Sequence, residues 1–408
     1  VVGALDNQND LSFLTVEQAM ADFNTLTVHI RTKWYMSPDT AFIVFGGSYG
    51  GNLAMWLRLK NPNLWAGAIA SSATPLKHVL RETNGFALIE TQAYGNVSLA
   101  CPKLVRSGWT ELYEQSSTPK GRIHVAQALG LCDPLPDVDA VEDVHGWVSG
   151  ALETMVQYGY PYPTQFYNPV PAYPFQVACY KMLQAITGLG ALRAAINVYY
   201  NYTGQAGSCF DFDSSVMTEA RMHWNRKGDL HRVHSQDLRK RNRQELNGFD
   251  YKEARLLTTT PKQSDEDEEN AWEYQTCTEV YQPMPTDGTT DFEIPYTPNQ
   301  TSYFEHCWNK YAVQPRPNWE EMHFMGSNIG AGSNIFLTSG QLDPWRAAGI
   351  QETPNGSPDS IVVRIIENGA HHLDLRGANP LDPLSVVNIR IEEKACMHQW
   401  IKEWKEQH

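Results

Sequence analysis

The stretch AFIVFGGSYGGN, residues 41–52, constrains the fold more than any other part of this 408-residue chain. Five apolar residues lead into four glycines that surround Ser48, and NLAMWLRLKNP (52–62) then has the pattern of a helix that ends at Pro62. A short continuous apolar run is typical of a strand that is buried on both faces of a parallel sheet. WAGAIASSATP (65–75) has the same texture, so these segments predict a strand, a tight turn, a helix and a second parallel strand.

The glycine-rich turn contains the pattern G-x-S-x-G, as Gly46, Ser48 and Gly50. On a strand-to-helix turn the serine backbone is strained, and we expect side chains two residues to either side of it to collide with the neighbouring strand and helix. The Ser48 hydroxyl would then project from the sheet, with the backbone N–H of Tyr49 near any oxyanion that forms. The pattern alone is weak because glycine and serine are common, but its strand-turn-helix context favours a nucleophile over an ordinary turn.

Two further buried-strand patterns lie near the C-terminus, in SNIFLTSGQLDPW (333–345) and SIVVRIIENGAHH (360–372). Asp343 follows the first strand, and His371 and His372 follow the second. A serine nucleophile needs a histidine base and an acid that orients this base. In α/β-hydrolases the order along the chain is serine, acid, histidine, with the last two on loops after later strands. The pattern therefore predicts Asp343 as the acid and one of the two histidines as the base.

Other titratable residues compete for these roles. Asp374 is a rival acid, but it lies closer to the two histidines in sequence than the usual two-loop arrangement requires. His223, His231 and His234 are close enough together to suggest a metal site, yet no carboxylate or cysteine framework surrounds them. We interpret them as surface histidines, and we expect neither a metal nor a cofactor.

Helices, rather than buried strands, are predicted between about residues 76 and 330. The helical patterns there cover residues 78–93, 139–158 and 176–200. The expected fold is therefore α/β, with an α/β-hydrolase parallel sheet from residues 1–75 and 331–408 and an inserted, mostly helical cap domain from residues 76–330.

Amphipathic helices are also predicted near both ends of the chain. Residues 14–34 space apolar side chains at threes and fours, with Thr15 as the N-cap. The apolar positions of this helix are Val16, Met20, Phe23, Leu26 and Ile30. Those of the second helix, residues 384–405, are Val387, Ile391, Trp400 and Trp404.

The charge balance argues against a nucleic-acid partner. The formal net charge is −14 and the pI is about 5.4, which would repel a phosphate backbone. Residues 221–243 carry eight Arg or Lys against two Asp, but the acidic run at 264–269 follows, and we interpret both as a solvated surface insertion. No apolar run approaches the roughly 18 to 20 residues that a membrane helix needs, so no membrane span is expected.

Cysteines and glycosylation sequons together indicate an oxidising, secretory-route compartment. The cysteines are scattered and include no CxxC pair that would suggest a zinc or thioredoxin-type site, and because their number, seven, is odd, at least one is unpaired. Sequons occur at Asn96, Asn201 and Asn299, and a fourth at Asn355 is weakened by the proline that follows its serine.

Several sequence blocks resemble the S28 serine peptidases, the family of lysosomal prolylcarboxypeptidase, dipeptidyl peptidase II and thymus-specific serine protease. The blocks are LTVEQAMADF, GGSYGGNLAMWLRLKNP, WEYQTCTE, SGQLDPWRAAGI and NGAHHLDLR. The resemblance implies Ser48 as nucleophile, Asp343 as orienting acid and His371, the first of the pair, as base. It also implies cleavage after proline in short peptides, by a carboxypeptidase or a dipeptidyl peptidase, in an acidic compartment such as the lysosome or endosome, or after secretion.

The resemblance implies further residues. It suggests the disulfides Cys101–Cys179, Cys132–Cys209 and Cys277–Cys307, with Cys396 free. Trp345 would line the proline pocket, although an aromatic residue there is equally compatible with plain core. Asn52, which stands near the nucleophile where relatives often have an apolar residue, is also expected at the pocket. The oligomeric state, monomer or homodimer, stays open.

Only 47 residues precede Ser48, whereas an α/β-hydrolase usually supplies several strands first, together with a loop that donates a second oxyanion N–H. We therefore expect the chain to lack the N-terminal part of the fold. Two alternatives to a peptidase remain: an esterase or lipase on the same fold, and a catalytically impaired homologue that acts as a binding protein.

Overall fold

The computed structural model describes residues 11–212 and 265–408. The basic segment 221–243 and its three histidines, His223, His231 and His234, lie outside the described residues. The described strands are β1 (Ile43–Gly47), β2 (Gly67–Ser71), β3 (Thr164–Gln165), β4 (Pro169–Val170), β5 (Ile335–Gly340) and β6 (Ile361–Ile366).

The main sheet contains four parallel strands in the order β1-β2-β5-β6. In its register Gly47 lies beside Ser71, and Ser71 lies beside Thr338 of β5. The carboxyl ends of all four strands therefore meet along one edge of the sheet. The two short strands β3 and β4 form a separate antiparallel pair.

Both faces of the sheet are covered, as the continuous apolar strands predict. Ala70 and Leu337 point into a core that also contains Met55 and Trp56, whereas their chain neighbours Ile69 and Phe336 pack on the other face. Every residue of β2 and β5 is buried. The expectation of double burial is wrong for the two outer strands of the described sheet, because β1 leaves Phe45 52% exposed and β6 leaves Arg364 exposed.

Most of the described chain between β2 and β5 is helical. The described helices are α1 (Val16–Lys33), α2 (Tyr49–Lys60), α3 (Lys77–Glu82), α4 (Gly85–Val97), α5 (Ala100–Ser116), α6 (Pro119–Leu129), α7 (Val138–Gln157), α8 (Pro174–Met182), α9 (Gly188–Tyr200), α10 (Asp265–Thr278), α11 (Gln300–Tyr311), α12 (Trp319–Phe324) and α13 (Leu384–Gln407). Helices α4 to α9 contribute to one apolar core of their own.

The predicted domain boundaries stay a proposal. Trp319, Phe324 and Ile329 belong to the predicted insertion, yet they pack in the same core as Met55 and Leu337 of the sheet layer. The last residues before β5 are thus attached to the sheet rather than to the helical core.

Two predicted helices are each broken in the structure. The predicted helix 78–93 is divided into α3 and α4, and 176–200 is divided into α8 and α9. The second break ends where the Thr187 side chain accepts a hydrogen bond from the Gly190 N–H at 3.0 Å and so caps α9. Helices α5 and α6 were not predicted; Pro102 and Pro119 lie in their first turns, where proline does not interrupt a helix.

The buried face of α13 agrees with the predicted one at Trp400 and Trp404 but not at Val387 and Ile391. Val387 and Ile391 are 38% and 63% exposed, whereas Val386 and Ile389 are buried together with Trp400 and Trp404. The true stripe runs through position 393, which holds a glutamate, so a purely apolar pattern picks the wrong positions. On α1, likewise, Val16 and Met20 are buried but Phe23 and Leu26 are 44% and 49% exposed.

The described part of the chain contains three disulfides: Cys101–Cys179, Cys132–Cys209 and Cys277–Cys307. These are the same pairs that the resemblance implies, and Cys396 is free. Among the helices of residues 11–212 and 265–408, none is both long and apolar enough to cross a bilayer.

Candidate active site

Ser48 occupies a sharp turn between β1 and α2. Its backbone angles, φ 59° and ψ −130°, lie in a region that non-glycine residues rarely adopt. The conformation is held on both sides, because the Ser48 N–H donates to the Ser71 carbonyl at 2.9 Å and the Ser48 carbonyl accepts from the Gly51 N–H at 2.8 Å. Ser48 therefore has the backbone of a nucleophile elbow at the carboxyl edge of the sheet.

Close backbone approaches explain two of the glycines around Ser48. A Cβ on Gly46 would lie 1.8 Å from the Gly50 carbonyl oxygen, and one on Gly51 would lie 2.8 Å from the Ser71 carbonyl oxygen. The expectation that Gly50 itself is sterically required is wrong, because a Cβ there would meet nothing within 4 Å. The steric demand falls two residues before and three residues after the serine.

Asp343 lies three residues after the end of β5 and is the N-cap of the short 3₁₀ helix Pro344–Ala348. One carboxylate oxygen, Oδ1, accepts a hydrogen bond from the Trp345 N–H at 3.0 Å. The other, Oδ2, lies 2.8 Å from Nδ1 of His371. Asp343 is fully buried and His371 is 1% exposed, so this pair is shielded from water and from screening by salt.

The backbone of His371 is tied to the end of the helical layer. Its N–H donates to the Gln157 carbonyl at 2.9 Å, and its carbonyl accepts from the Tyr160 hydroxyl at 2.9 Å. The remaining ring nitrogen, Nε2, has no hydrogen-bond partner among the described residues. With Nδ1 bonded to Asp343, Nε2 is the nitrogen left for proton transfer.

His372 has different surroundings from His371. Its N–H donates to Ser72 Oγ at 2.8 Å, and its ring lies against Gly47, where an added Cβ would come within 3.2 Å of it. Burial, together with the neighbouring His371, lowers the pKa of His372 to about 3. His372 is therefore uncharged above that pH, and Asp343 bonds to His371 rather than to His372.

Asp374, the rival acid, has other partners. Its carboxylate accepts hydrogen bonds from Ser71 Oγ at 2.5 Å and from Thr338 Oγ1 at 2.7 Å, the two residues that face each other on β2 and β5. Its main-chain carbonyl accepts from Arg390 on α13 at 2.8 Å. Asp374 thus lies behind the histidine turn and joins it to the sheet.

The other predicted site residues lie around the same edge. Tyr49 is the first residue of α2, so its N–H is one of the first-turn donors that have no partner within a helix. Asn52 is fully buried, and its amide donates to the Thr74 carbonyl at 3.4 Å and accepts from the Thr74 N–H at 2.7 Å. Trp345 is 7% exposed and packs edge-on against Phe86. The pocket roles of Asn52 and Trp345 stay predictions.

The predicted sequons differ in exposure. Asn96 and Asn299 are exposed, near the end of α4 and immediately before α11. Asn201, which follows α9, is partly buried, and its side chain accepts a hydrogen bond from the Ala206 N–H at 2.9 Å. Glycosylation at these positions stays a prediction.

Sequence reasoning missed the residues that hold the histidine turn. Ser72, Gln157 and Tyr160 were not singled out, and nothing in a local pattern connects them with a loop more than two hundred residues further on. A signal did exist for Glu393, because it interrupts the apolar stripe of α13. Among the described residues, no group of three or more His, Cys, Asp or Glu side chains could hold a metal ion.

A parallel sheet with a serine on a strand-to-helix turn, and an aspartate and a histidine on loops after later strands, has the architecture of an α/β-hydrolase. Comparison with known proteins narrows this class. Residues 3–392 match the serine carboxypeptidase S28 family, and the chain belongs to that family of serine peptidases.

Curated relatives align over almost the whole chain. It is similar to the lysosomal Pro-X carboxypeptidase of Bos taurus, at 31% identity over 98% of this chain and 71% of the relative. The lysosomal Pro-X carboxypeptidase of Homo sapiens is also 31% identical, over 97% of this chain and 70% of its own length. The thymus-specific serine protease of Homo sapiens is 23% identical, again over 97% of this chain and 70% of the relative.

Proposed function

We propose that the protein is a serine exopeptidase that cleaves after proline in short peptides, with Ser48 as nucleophile, His371 as base and Asp343 as the orienting acid. The observation that carries the proposal is the buried hydrogen bond between Asp343 Oδ2 and His371 Nδ1, which leaves His371 Nε2 without a partner among the described residues. The strained turn at Ser48 lies at the same edge of the sheet.

The reaction uses neutral His371. Its Nε2 accepts the proton of the Ser48 hydroxyl as the oxygen attacks the peptide carbonyl. The imidazolium that forms is stabilised by the Asp343 carboxylate, and the oxyanion accepts a hydrogen bond from the Tyr49 N–H at the positive end of α2. His371 then protonates the departing amine, and water hydrolyses the acyl group from Ser48 by the same steps in reverse.

The substrate preference is supported by the relatives, two of which are named Pro-X carboxypeptidases. Trp345, held beside the acid by its own N–H bond to Asp343, supplies an aromatic surface of the kind that a proline ring packs against. We propose short peptides with proline near one end as substrates. We further propose a lysosomal, endosomal or secreted location, which agrees with the three disulfides and with the names of these relatives.

Labelling with a fluorophosphonate tests the nucleophile. Wild-type protein should react at Ser48, identified by peptide mapping, and Ser48→Ala should lose both the label and the cleavage of Pro-X peptides. Ser117→Ala, which removes an exposed hydroxyl at the end of α5, is the matched control and should behave as wild type. A Ser48→Ala protein that cleaves at the wild-type rate would refute the assignment.

Two peptides and an ester separate the remaining alternatives. Release of the last residue from an N-blocked Ala-Pro-Phe peptide indicates a carboxypeptidase, and release of Ala-Pro or Lys-Pro from a chromogenic peptide indicates a dipeptidyl peptidase. Turnover of a short-chain ester without cleavage of either peptide would overturn the peptidase proposal in favour of an esterase.

A further inference from the structure

Two buried carboxyl groups lie directly behind the histidine turn. Asp374 follows His372 by two residues and is 4% exposed, and Glu393 on α13 is 5% exposed. The Glu393 side chain is within hydrogen-bonding reach of the Asp374 carboxyl. Two carboxyl groups in direct contact cannot both be ionised without strong repulsion, so the pair holds one proton.

The two carboxyl groups differ in their hydrogen bonds. Asp374 accepts from two hydroxyls, Ser71 Oγ and Thr338 Oγ1, which suits a carboxylate. Glu393 Oε1 has no hydrogen-bond partner among the described residues, and a buried unpaired oxygen is far less costly on a neutral acid than on a carboxylate. The proton therefore fits Glu393 better than Asp374.

The charged groups around the pair come from three elements. Arg390, on the same face of α13, is engaged by Asp382 and by the carbonyls of the turn, and Glu392 pairs with Arg364 of β6. Lys394, which is exposed, and the thiol of Cys396 are the other titratable groups on this stretch of the helix. Burial, and then the Asp374 carboxylate, raises the pKa of Glu393 to about 8, and Arg390 opposes this shift without cancelling it.

The carboxyl pair is connected to both halves of the candidate site. Ser71, which donates to Asp374, uses its carbonyl to hold the N–H of Ser48. Thr338, the other donor, uses its carbonyl to hold the N–H of Ser72, whose hydroxyl accepts from the N–H of His372. One carboxylate therefore fixes the ends of β2 and β5 and the turn that carries His371.

We propose that Asp374 and Glu393 are positioning residues that share one proton, and that this proton holds the His371–His372 turn on the sheet edge and sets the alkaline limit of activity. The positioning role rests on the proposed function of His371 as the base. Loss of the proton places two negative charges in contact inside the protein, which pushes the turn away from α13.

The sign of the pH effect follows from a carboxyl pKa that is higher in the folded protein than in the unfolded chain. Between pH 4.5, the ordinary value, and about pH 8, the folded form keeps the Glu393 proton while the unfolded chain loses it. The contribution of the Glu393 proton to the free energy of unfolding is therefore complete below about pH 4.5, declines as the pH rises, and is absent above about pH 8.

Glu393→Gln tests the proposal because glutamine is neutral at every pH and can donate to Asp374. At pH 5 the variant should fold and should match wild type in the rate of fluorophosphonate labelling and of peptide cleavage. At pH 9 wild type should keep about a tenth of its plateau rate, whereas the variant should keep nearly all of it, a gap of about tenfold for one proton lost near pH 8. The melting temperature of the variant relative to wild type should rise from pH 5 to pH 8.5.

Glu392→Gln is the matched control, since it makes the same change one residue away on a partly exposed ion pair, and its pH profile should follow that of wild type. An alkaline limit that is unchanged in Glu393→Gln overturns the proposal. So does a Glu393→Gln protein that does not fold, because a neutral isostere should replace a neutral acid. If no Pro-X peptide is cleaved but labelling keeps this pH dependence, the peptidase proposal fails while the shared proton stands.

Discussion

Replacing Asp343 with asparagine should inactivate the protein without unfolding it, because the surroundings of Asp343 dictate how the new amide is oriented. The Trp345 N–H donates to Oδ1, so the amide carbonyl must take that position and the NH₂ group must face His371. Nδ1 of His371 then has to accept a hydrogen bond, which moves the ring proton to Nε2. A histidine protonated at Nε2 cannot take the proton of Ser48.

Two effects set the size of the loss. In a site this buried, the imidazolium and the carboxylate attract each other by about 4 kcal/mol at a charge separation of about 4 Å and an effective dielectric constant of about 20. Losing that attraction slows the reaction by about 10³-fold, at about 1.4 kcal/mol for each factor of ten. The misplaced ring proton adds to this loss, and the total expected is about 10⁴-fold, the size seen for the same substitution in another serine hydrolase.

The assay is kcat/KM on the N-blocked Ala-Pro-Phe peptide at pH 6, with thermal unfolding measured alongside. Asp343→Asn should lose about 10⁴-fold in kcat/KM and melt close to wild type. Asp359→Asn, in the exposed loop before β6, serves as the control and should be active. A folded Asp343→Asn protein within tenfold of wild-type activity would refute the reasoning and return Asp374 to consideration as the acid.

Three further outcomes are expected. Gly46→Ala should no longer be labelled by the fluorophosphonate, and its free energy of unfolding should fall by roughly 3 kcal/mol, because the new Cβ would overlap the Gly50 carbonyl. Gly50→Ala, whose Cβ meets open space, should be labelled normally. In His372→Gln, the pH below which kcat/KM falls should be the same as in wild type, since burial keeps His372 uncharged above about pH 3. If a titration of kcat/KM shows that this pH shifts in the variant, His372 rather than His371 sets the acid limit of activity. Replacing Cys277 and Cys307 with serine should lower the free energy of unfolding in urea by roughly 3.5 kcal/mol, from the chain entropy of a loop of about 30 residues, and no change would contradict this.

The sequence predicted the elements of the site better than their surroundings. Strands β1, β2, β5 and β6 appear in the sequence as short apolar runs, because strands of a parallel sheet covered on both faces are rich in apolar residues; glycine, aspartate or histidine follows β1, β5 and β6. Helix α1 was predicted with its cap, and the Thr15 hydroxyl does accept from the Gln18 N–H at 3.1 Å.

What the sequence could not provide are contacts made between distant segments. The choice between His371 and His372 depends on which ring reaches Asp343, and two adjacent histidines carry no local signal for that. The buried face of α13 was misjudged because Glu393 lies within it, and a buried glutamate is explained only by Asp374, its partner on another element. Long-range polar pairs of this kind depend on tertiary packing and have no periodicity.

The order of strands in the sheet has a consequence for biosynthesis. β2 is bonded to β5, yet roughly 260 residues separate them, and at roughly 5–20 residues per second the ribosome needs a few tens of seconds to deliver the partner strand. During that time the apolar β1 and β2 are synthesised but one edge of β2 is unpaired. Cys101 and Cys132 also emerge before Cys179 and Cys209, so they can first react with each other. Correct maturation of this chain therefore depends on protecting the free edge of β2 until β5 has been made, and on delaying thiol oxidation until Cys179 and Cys209 have emerged, tasks suited to chaperones and disulfide isomerases.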